Sequence, residues 1–489
     1  MSGLTASTTT ARFGTSAVLA ATGGELRAGA SGEAIGVSTD SRTLVSGELF
    51  VALSGPRESP VRIVLDGHRF LGEALRRGAW GVLAEEQALR RDEVARELGA
   101  WTGRAVIAVP DTLQALGDLA ASHRSRMPAR IVGITGSNGK TTTKEMAAAI
   151  AAVRWQVLRN EGNLNNLVGL PLTLLGLESR HEVAVVELGM SHAGEIRRLA
   201  AIAAPQVGVV TNVGPVHLEG VGSIAGVAAA KAEIFAGIAP GGTAVLNADD
   251  PATPGLAARW AGRLVSFGLC ATADVRAEEI EFTPLGTAFT LVLAAAGSAR
   301  VQIPWFGEHN VRNALAAAAA MHCLGADCAQ IAAGLAAARP AAMRFEVGTI
   351  RPGVTVVNDA YNANPASMLA ALAAFAQLPG GARRALVLGD MLELGADALA
   401  AHRELGLAAA QAAPALLLAV GAFAAEVVAG ARAAGLPRTA LATAPDAAAA
   451  AVVLATWLRP GDLLLLKGSR GVRLERVLER LREAQEVVH

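Results

Sequence analysis

Aromatic side chains are scarce in this chain: they make up 4% of 489 residues, and tyrosine occurs once, as Tyr361. Few rings remain on which bases could stack, and nucleic-acid binding is disfavoured. A surplus of one charge is also missing. Lys and Arg number 43 against 43 Asp and Glu, so no global field draws the protein to phosphate backbones or anionic lipid. Cysteine occurs three times, as Cys270, Cys323 and Cys328, with no C-x-x-C spacing. The three cannot all pair, and they read as small buried hydrophobes in a reducing compartment. Met1 to Thr10 lacks the basic flank and apolar run of a secretory signal, and polar residues interrupt the Ala-rich stretches before they could span a bilayer. A cytoplasmic protein without membrane insertion is expected.

The chain is too long for one core, since single cores stop growing near about 250 to 300 residues. Residues 1–105 hold short apolar runs (Glu48 to Leu53, Trp80 to Ala84) and a helix-like stretch from Phe70 to Arg77, a small α/β domain. Over 106–339, β-rich runs at Arg130 to Ile134, Val183 to Glu187, Val207 to Asn212 and Ala244 to Asn247 alternate with helical segments. That alternation predicts a mostly parallel sheet covered on both faces. A period of two between Ala273 and Pro304 predicts a small antiparallel sheet at its edge, and one Ala-rich amphipathic helical region follows from Val311 to Ala338. Arg339-Pro340 breaks it. Over 340–489 a second alternation (Thr355 to Asn358, Ala385 to Leu388, Leu416 to Val420, Leu463 to Leu466) predicts a third domain with its own mostly parallel sheet.

The strongest local signal is Ile131 to Thr142, a β-run entering Gly136-Ser137-Asn138-Gly139-Lys140-Thr141-Thr142 and then a helix from Thr143 to Ala151. Glycines let backbone N–H groups converge on phosphate oxygens, Lys140 neutralises β/γ charge, and the Thr141 hydroxyl is placed to ligate Mg²⁺. ATP binding follows. The usual spacing would put glycine where Ile134 stands, and an ordinary glycine-rich turn is the alternative. Downstream, Glu187 closes a strand and His217 follows another, where parallel sheets bind ligands. Each is a metal-ligand candidate with a structural alternative. Lys231 lies at helical spacing in an apolar stretch, where a snorkelling surface lysine is the plainer reading.

The string Thr135 to Thr142 resembles the variant P-loop of the Mur ligase family, which accounts for Ile134. Glu187, His217 and Lys231 match its metal-associated positions in order, and Gly307 to Ala314 is similar to its nucleotide-contacting segment. Thr39-Asp40-Ser41-Arg42 and Gly47 to Leu53 resemble its UDP-binding part. Between Gly55 and Gly67 the chain departs from the pattern, with Arg57 to Arg62 replacing the usual short lead. Within the family, Asp359-Ala360-Tyr361-Asn362-Ala363-Asn364-Pro365-Ala366-Ser367 is similar to the member that adds D-alanyl-D-alanine. Leu388 to Gly395 and Leu466 to Arg470 agree with it.

The resemblance implies an N-terminal domain for the UDP-sugar, a central P-loop ATPase domain and a C-terminal Rossmann-like domain for the incoming amino compound. It implies ATP and Mg²⁺ as cofactors, with Thr141, Glu187, His217 and Lys231 at the metal and a carbamate on Lys231. It assigns Asn310, Arg344 and Asp359 to the nucleotide. Asp40, Ser41, Arg42, Asn165, Asn166, Tyr361, Asn362 and Asn364 are candidates for the substrates. Those are UDP-N-acetylmuramoyl-tripeptide and D-alanyl-D-alanine, joined through an acyl phosphate by a monomer. Related ligases that add the third peptide residue, or glutamate to folate, are the rivals in chemistry. A nucleotide-binding P-loop switch is the rival of another class.

Overall fold

The computed structural model describes residues 9–29, 32–54, 66–91, 94, 103–294, 296–381 and 383–486, without the side chains of 218, 219 and 484–486. The chain start and most of the Gly55 to Gly67 stretch therefore lie outside the described residues. Three main sheets follow one another along the chain, as the alternation of β-rich and helical runs predicts.

The first has five strands, in the order Glu25–Ala28, Ala105–Val109, Gly81–Glu85, Leu49–Val51, Val37–Ser38, parallel except for its first pair. Ala105–Val109 belongs to this sheet, so a division at residue 105 would cut a strand. We place the boundary after Val109, because a strand cannot leave its hydrogen-bonded ladder. The following helix, Thr112–Ser125, is capped by the Asp111 carboxylate. It packs with residues of both the first and the second sheet in one continuous core.

The second sheet has nine strands, with Arg130–Thr135 between Val207–Val210 and Val183–Glu187. The period-two region forms Val275–Thr283, Gly286–Leu293 and Gly297–Ile303, an antiparallel meander. It is not a separate sheet. Val275–Thr283 pairs in parallel with Arg263–Gly268, so the meander extends the same sheet.

The Ala-rich region is two helices, Glu308–Cys323 and Cys328–Ala337, divided at Gly325, whose φ of 94° no helix accepts. The first is not amphipathic. From Ala314 to Met321 every residue is buried, so it is wedged into the core. Its alanines permit close packing on the P-loop helix, Lys140–Ala152. The second helix touches the same partner through Gly334, where a Cβ would overlap the Ile150 backbone. The cysteines are free and half-buried, less enclosed than their composition suggested.

The third sheet has six strands, in the order Glu346–Arg351, Val354–Asp359, Asp462–Lys467, Arg383–Gly389, Leu416–Val420, Leu441–Ala444, parallel apart from its first pair. Two of its helices, Ala398–Gln411 and Ala424–Ala433, cross backbone to backbone. A Cβ at Gly406 would overlap the Val427 carbonyl, and one at Gly430 the Arg403 carbonyl. Gly406→Val should force the pair apart and cost about 1–3 kcal/mol of stability, measured by urea denaturation. An unchanged midpoint would show that the contact is slack.

Candidate active site

The carboxyl ends of the second and third sheets face one another across a cavity of about 670 Å³. The P-loop enters it from the strand Arg130–Thr135. That strand runs one residue past Ile134, so Ile134 is a buried sheet residue and the loop opens at Gly136. Gly136 (φ 147°) and Gly139 (φ 80°) have no room for side chains: a Cβ would overlap Thr211 Oγ1 and the Asn313 side-chain oxygen, respectively. The helix begins at Lys140, three residues before the sequence expectation, so Lys140 and Thr141 sit in its first turn. There the unpaired N–H groups favour anions.

Lys140 Nζ folds back on its own loop, donating to the carbonyls of Gly136 at 2.8 Å and Ser137 at 3.2 Å. Burial lowers its pKa, and Arg344 adds to the effect against the pull of Glu187. Thr141 Oγ1 donates to Glu187 Oε2 at 2.8 Å, and Asn165 Nδ2 donates to Glu187 Oε1 at 2.8 Å. Arg344 Nη2 donates to Thr141 Oγ1 at 3.2 Å, and its guanidinium lies 4.0 Å over the Tyr361 ring. Met343 (φ 60°) and Phe345 (φ 55°), both left-handed, flank Arg344. Such strain of about 1–3 kcal/mol per residue persists only where the surroundings enforce it.

Thr141 and Glu187 bring a hydroxyl and a carboxylate together, the oxygen chemistry that suits Mg²⁺, an ion that needs few protein oxygens and fills its shell with water and phosphate. A guanidinium already stands beside them. Among the described residues, no three His, Cys, Asp or Glu side chains gather for a metal.

His217 lines the cavity, and its Nδ1 lies 3.1 Å from Glu393 Oε2 of the third sheet's loops. Both residues are left-handed, at φ 54° and 63°. The pairing leaves Nε2 as the free ring nitrogen. Lys231 does not snorkel. It is 1% exposed. Burial, then the Lys140 ammonium, depress its pKa well below that of free lysine, against Glu187 and Glu195. It lies behind the cavity wall rather than on it.

Asn313, on the alanine-rich helix, reaches the P-loop at Gly139, and its Nδ2 donates to Asn310 Oδ1 at 3.1 Å. Burial pushes the adjacent His309 down to about 4, so its ring is neutral at physiological pH. Asp359 Oδ2 accepts from Lys467 Nζ at 2.7 Å, and its Oδ1 accepts from the Phe345 N–H at 3.1 Å.

Asn138 and Asn364 join their side-chain amides across the cleft, with Asn364 Nδ2 donating to Asn138 Oδ1 at 2.7 Å. Asn364 also caps the helix Pro365–Ala376. Asn364→Ser keeps a good cap but cannot reach Asn138. The KM for the amino compound that the resemblance implies should rise about three- to tenfold with the melting temperature nearly unchanged. Fluorotyrosine at Tyr361, the chain's only tyrosine, should report the loosened junction as a shifted fluorine resonance. An unaltered KM and resonance would refute the clasp.

Of the candidate residues, Ser137 to Thr142, Asn165, Asn166, Glu187, His217, Asn310, Arg344, Asp359, Tyr361, Asn362 and Asn364 line this one cavity. Asn166 is engaged with the backbone that leads into the helix Gly169–Leu174, its Oδ1 accepting from the Gly169 N–H at 2.8 Å. Asp40, Ser41 and Arg42 do not line it. Arg42 grips Asp40, and Ser41 Oγ donates to Glu73 at 3.1 Å. Arg312, Lys467 and Arg470, all on the cavity wall, lie in strings that resemble the family but are not singled out by the sequence as site residues. The strand-end rule that finds Glu187 would have found Lys467, the last residue of Asp462–Lys467.

Fold and site together define a P-loop enzyme whose phosphate-binding centre is closed by a second α/β unit. Residues 134–321 match the Mur ligase middle domain, and residues 343–470 the Mur ligase glutamate ligase domain. The UDP-N-acetylmuramoyl-tripeptide--D-alanyl-D-alanine ligase of Escherichia coli is 39% identical over 455 residues, 91% of this chain and 93% of that protein. The enzyme of the same name from Bacillus subtilis is 34% identical over 449 residues, 92% of this chain and 93% of that one. A crystal structure of MurF from Acinetobacter baumannii superposes with a TM-score of 0.86 at 32% identity, covering 97% of this chain and 100% of that one. MurF from Thermotoga maritima in complex with ADP gives 0.77 at 29% identity, covering 93% and 98%. The chain belongs to the Mur ligase family.

Proposed function

We propose that this protein is an ATP-dependent ligase that joins D-alanyl-D-alanine to UDP-N-acetylmuramoyl-tripeptide, yielding the pentapeptide precursor of peptidoglycan, ADP and phosphate. One observation carries the reading: the P-loop and the Asp359 to Asn364 string, more than 200 residues apart in sequence, line one cavity. A phosphate-activating centre and an amine-binding wall are thereby brought face to face.

A carboxylate and an amine do not condense in water, because oxide is a poor leaving group. ATP must first phosphorylate the tripeptide carboxylate. The amine of D-alanyl-D-alanine then attacks the acyl carbon, and the tetrahedral intermediate collapses with loss of phosphate. Phosphoryl transfer spreads negative charge over three oxygens, so catalysis is positioning and charge neutralisation. Lys140 swings from its loop carbonyls to the β/γ-phosphates, and Arg344 follows from Thr141. Magnesium held by Thr141 and Glu187 would neutralise further charge there. His217, oriented by Glu393, offers Nε2 near the acyl phosphate, and Lys231 contributes a carboxylate once carbamylated. Asn310 and Asp359 hold the nucleotide, and Tyr361, Asn362 and Asn364 face the dipeptide. Asp40, Ser41 and Arg42 receive the UDP moiety on the first sheet, with Asn165 and Asn166 towards the sugar-peptide. Closure over the cleft excludes the water that would hydrolyse an acyl phosphate.

The working unit is taken to be a monomer. No helix among the described residues is long and apolar enough to cross a membrane, and a cytoplasmic site of action fits two nucleotide substrates. Phosphate release is the test, with ATP, the UDP-linked tripeptide in lysine and diaminopimelate forms, and D-alanyl-D-alanine present or withheld. Release that requires both partners is expected. Release indifferent to D-alanyl-D-alanine would overturn the assignment.

A further inference from the structure

Lys144 lies one turn beyond Thr141 on the P-loop helix, and its side chain is wholly buried. A buried ammonium is expensive, and an apolar side chain of similar volume is commonly as stabilising or more so. This one donates to the Asn160 carbonyl at 2.6 Å and pairs with Glu145 at 2.9 Å. Asn160 is itself 0% exposed. Its Oδ1 accepts from the Glu187 N–H at 3.0 Å, and its Nδ2 donates to the Leu164 carbonyl at 3.0 Å. Leu164 precedes Asn165, which holds Glu187 Oε1, while Thr141 holds Oε2.

The bonds close a ring: P-loop helix, Lys144, Asn160, Glu187, Thr141, and the helix again. Neither Lys144 nor Asn160 lines the cavity, yet backbone and both carboxylate oxygens of Glu187 are fixed by this ring and its Asn165 branch. We infer that Lys144 and Asn160 are positioning residues that hold the Glu187 carboxylate in register with Thr141, and so set how strongly magnesium tightens nucleotide binding. The inference rests on the reading of Thr141 and Glu187 as the magnesium pair.

The test is calorimetric titration of ADP into the full-length protein with and without Mg²⁺, for the unaltered chain, Lys144→Met and Asn160→Ser, each with its melting temperature. Partners that orient a metal ligand typically matter by about 10- to 100-fold in metal affinity. The tightening of ADP by Mg²⁺ should therefore shrink about tenfold or more in both variants, with Mg²⁺-free ADP affinity nearly unchanged. If Lys144→Met does not fold, Asn160→Ser, which leaves the buried lysine in place, decides alone. Tightening retained in full, with only a lower melting temperature, overturns the inference and leaves the magnesium reading standing. No tightening in the unaltered chain overturns the magnesium reading and this inference with it.

Discussion

Lys140→Met is expected to lower kcat about 10³-fold or more, because it removes a positioned cation from a site where charge is stabilised electrostatically rather than covalently. The fold should survive. Lys140 donates to two carbonyls, and the buried Glu187 that attracts it keeps Thr141 and Asn165 as donors, and methionine covers the same stem. Its partners also explain why the effect falls on kcat. The ammonium must leave Gly136 and Ser137 for the phosphates, and that exchange rewards the developing charge more than the ground state. Steady-state phosphate release and a thermal melt measure the two halves of the expectation. A kcat within tenfold of the unaltered enzyme would remove Lys140 from the mechanism.

Lys231→Ala is expected to lose about 10²-fold or more in kcat, on the scale of removing one positioned charge. A buried ammonium near Lys140 would be repelled by any metal at Thr141 and Glu187. The depressed pKa resolves this difficulty. Burial lowers the amine's pKa, which enlarges its neutral share at any given pH. Its lone pair can attack carbon dioxide and lose a proton, leaving a carbamate, an anion able to ligate metal. The sign is definite: lowering the pH protonates the amine and empties the carbamate, raising it with bicarbonate present refills it. Activity of decarbamylated enzyme should return in part on adding bicarbonate, and short carboxylic acids should partly rescue Lys231→Ala. Full activity of that variant without any added acid would end the proposal.

The central strands were legible because β-branched runs and glycine-rich turns are local signals. Val183–Glu187 and Leu416–Val420 form where the residue pattern puts them. The meander's attachment was not legible, since which strand edge receives Val275–Thr283 is decided by a partner elsewhere in the chain. The alanine tract misled for a similar reason. Spacing alone does not tell a helix with one covered face from one covered all round, and Ala314 to Met321 is of the second kind. The amides of 160–166 divide likewise: Asn160 and Asn166 hold the backbone, whereas Asn165 reaches Glu187.

Local runs of residues carry the phosphate loop, the strand-end position of Glu187 and, through the family resemblance, the Asp359 to Ser367 string. Each is a short run whose backbone conformation and chemistry are encoded by neighbouring residues. Packing in three dimensions is what buries Lys231 instead of leaving it solvated, brings Asn138 to Asn364, and sets Lys144 and Asn160 behind Glu187. Burial and long-range pairing depend on which faces the sheets and helices turn to one another, and no local run of residues carries that information.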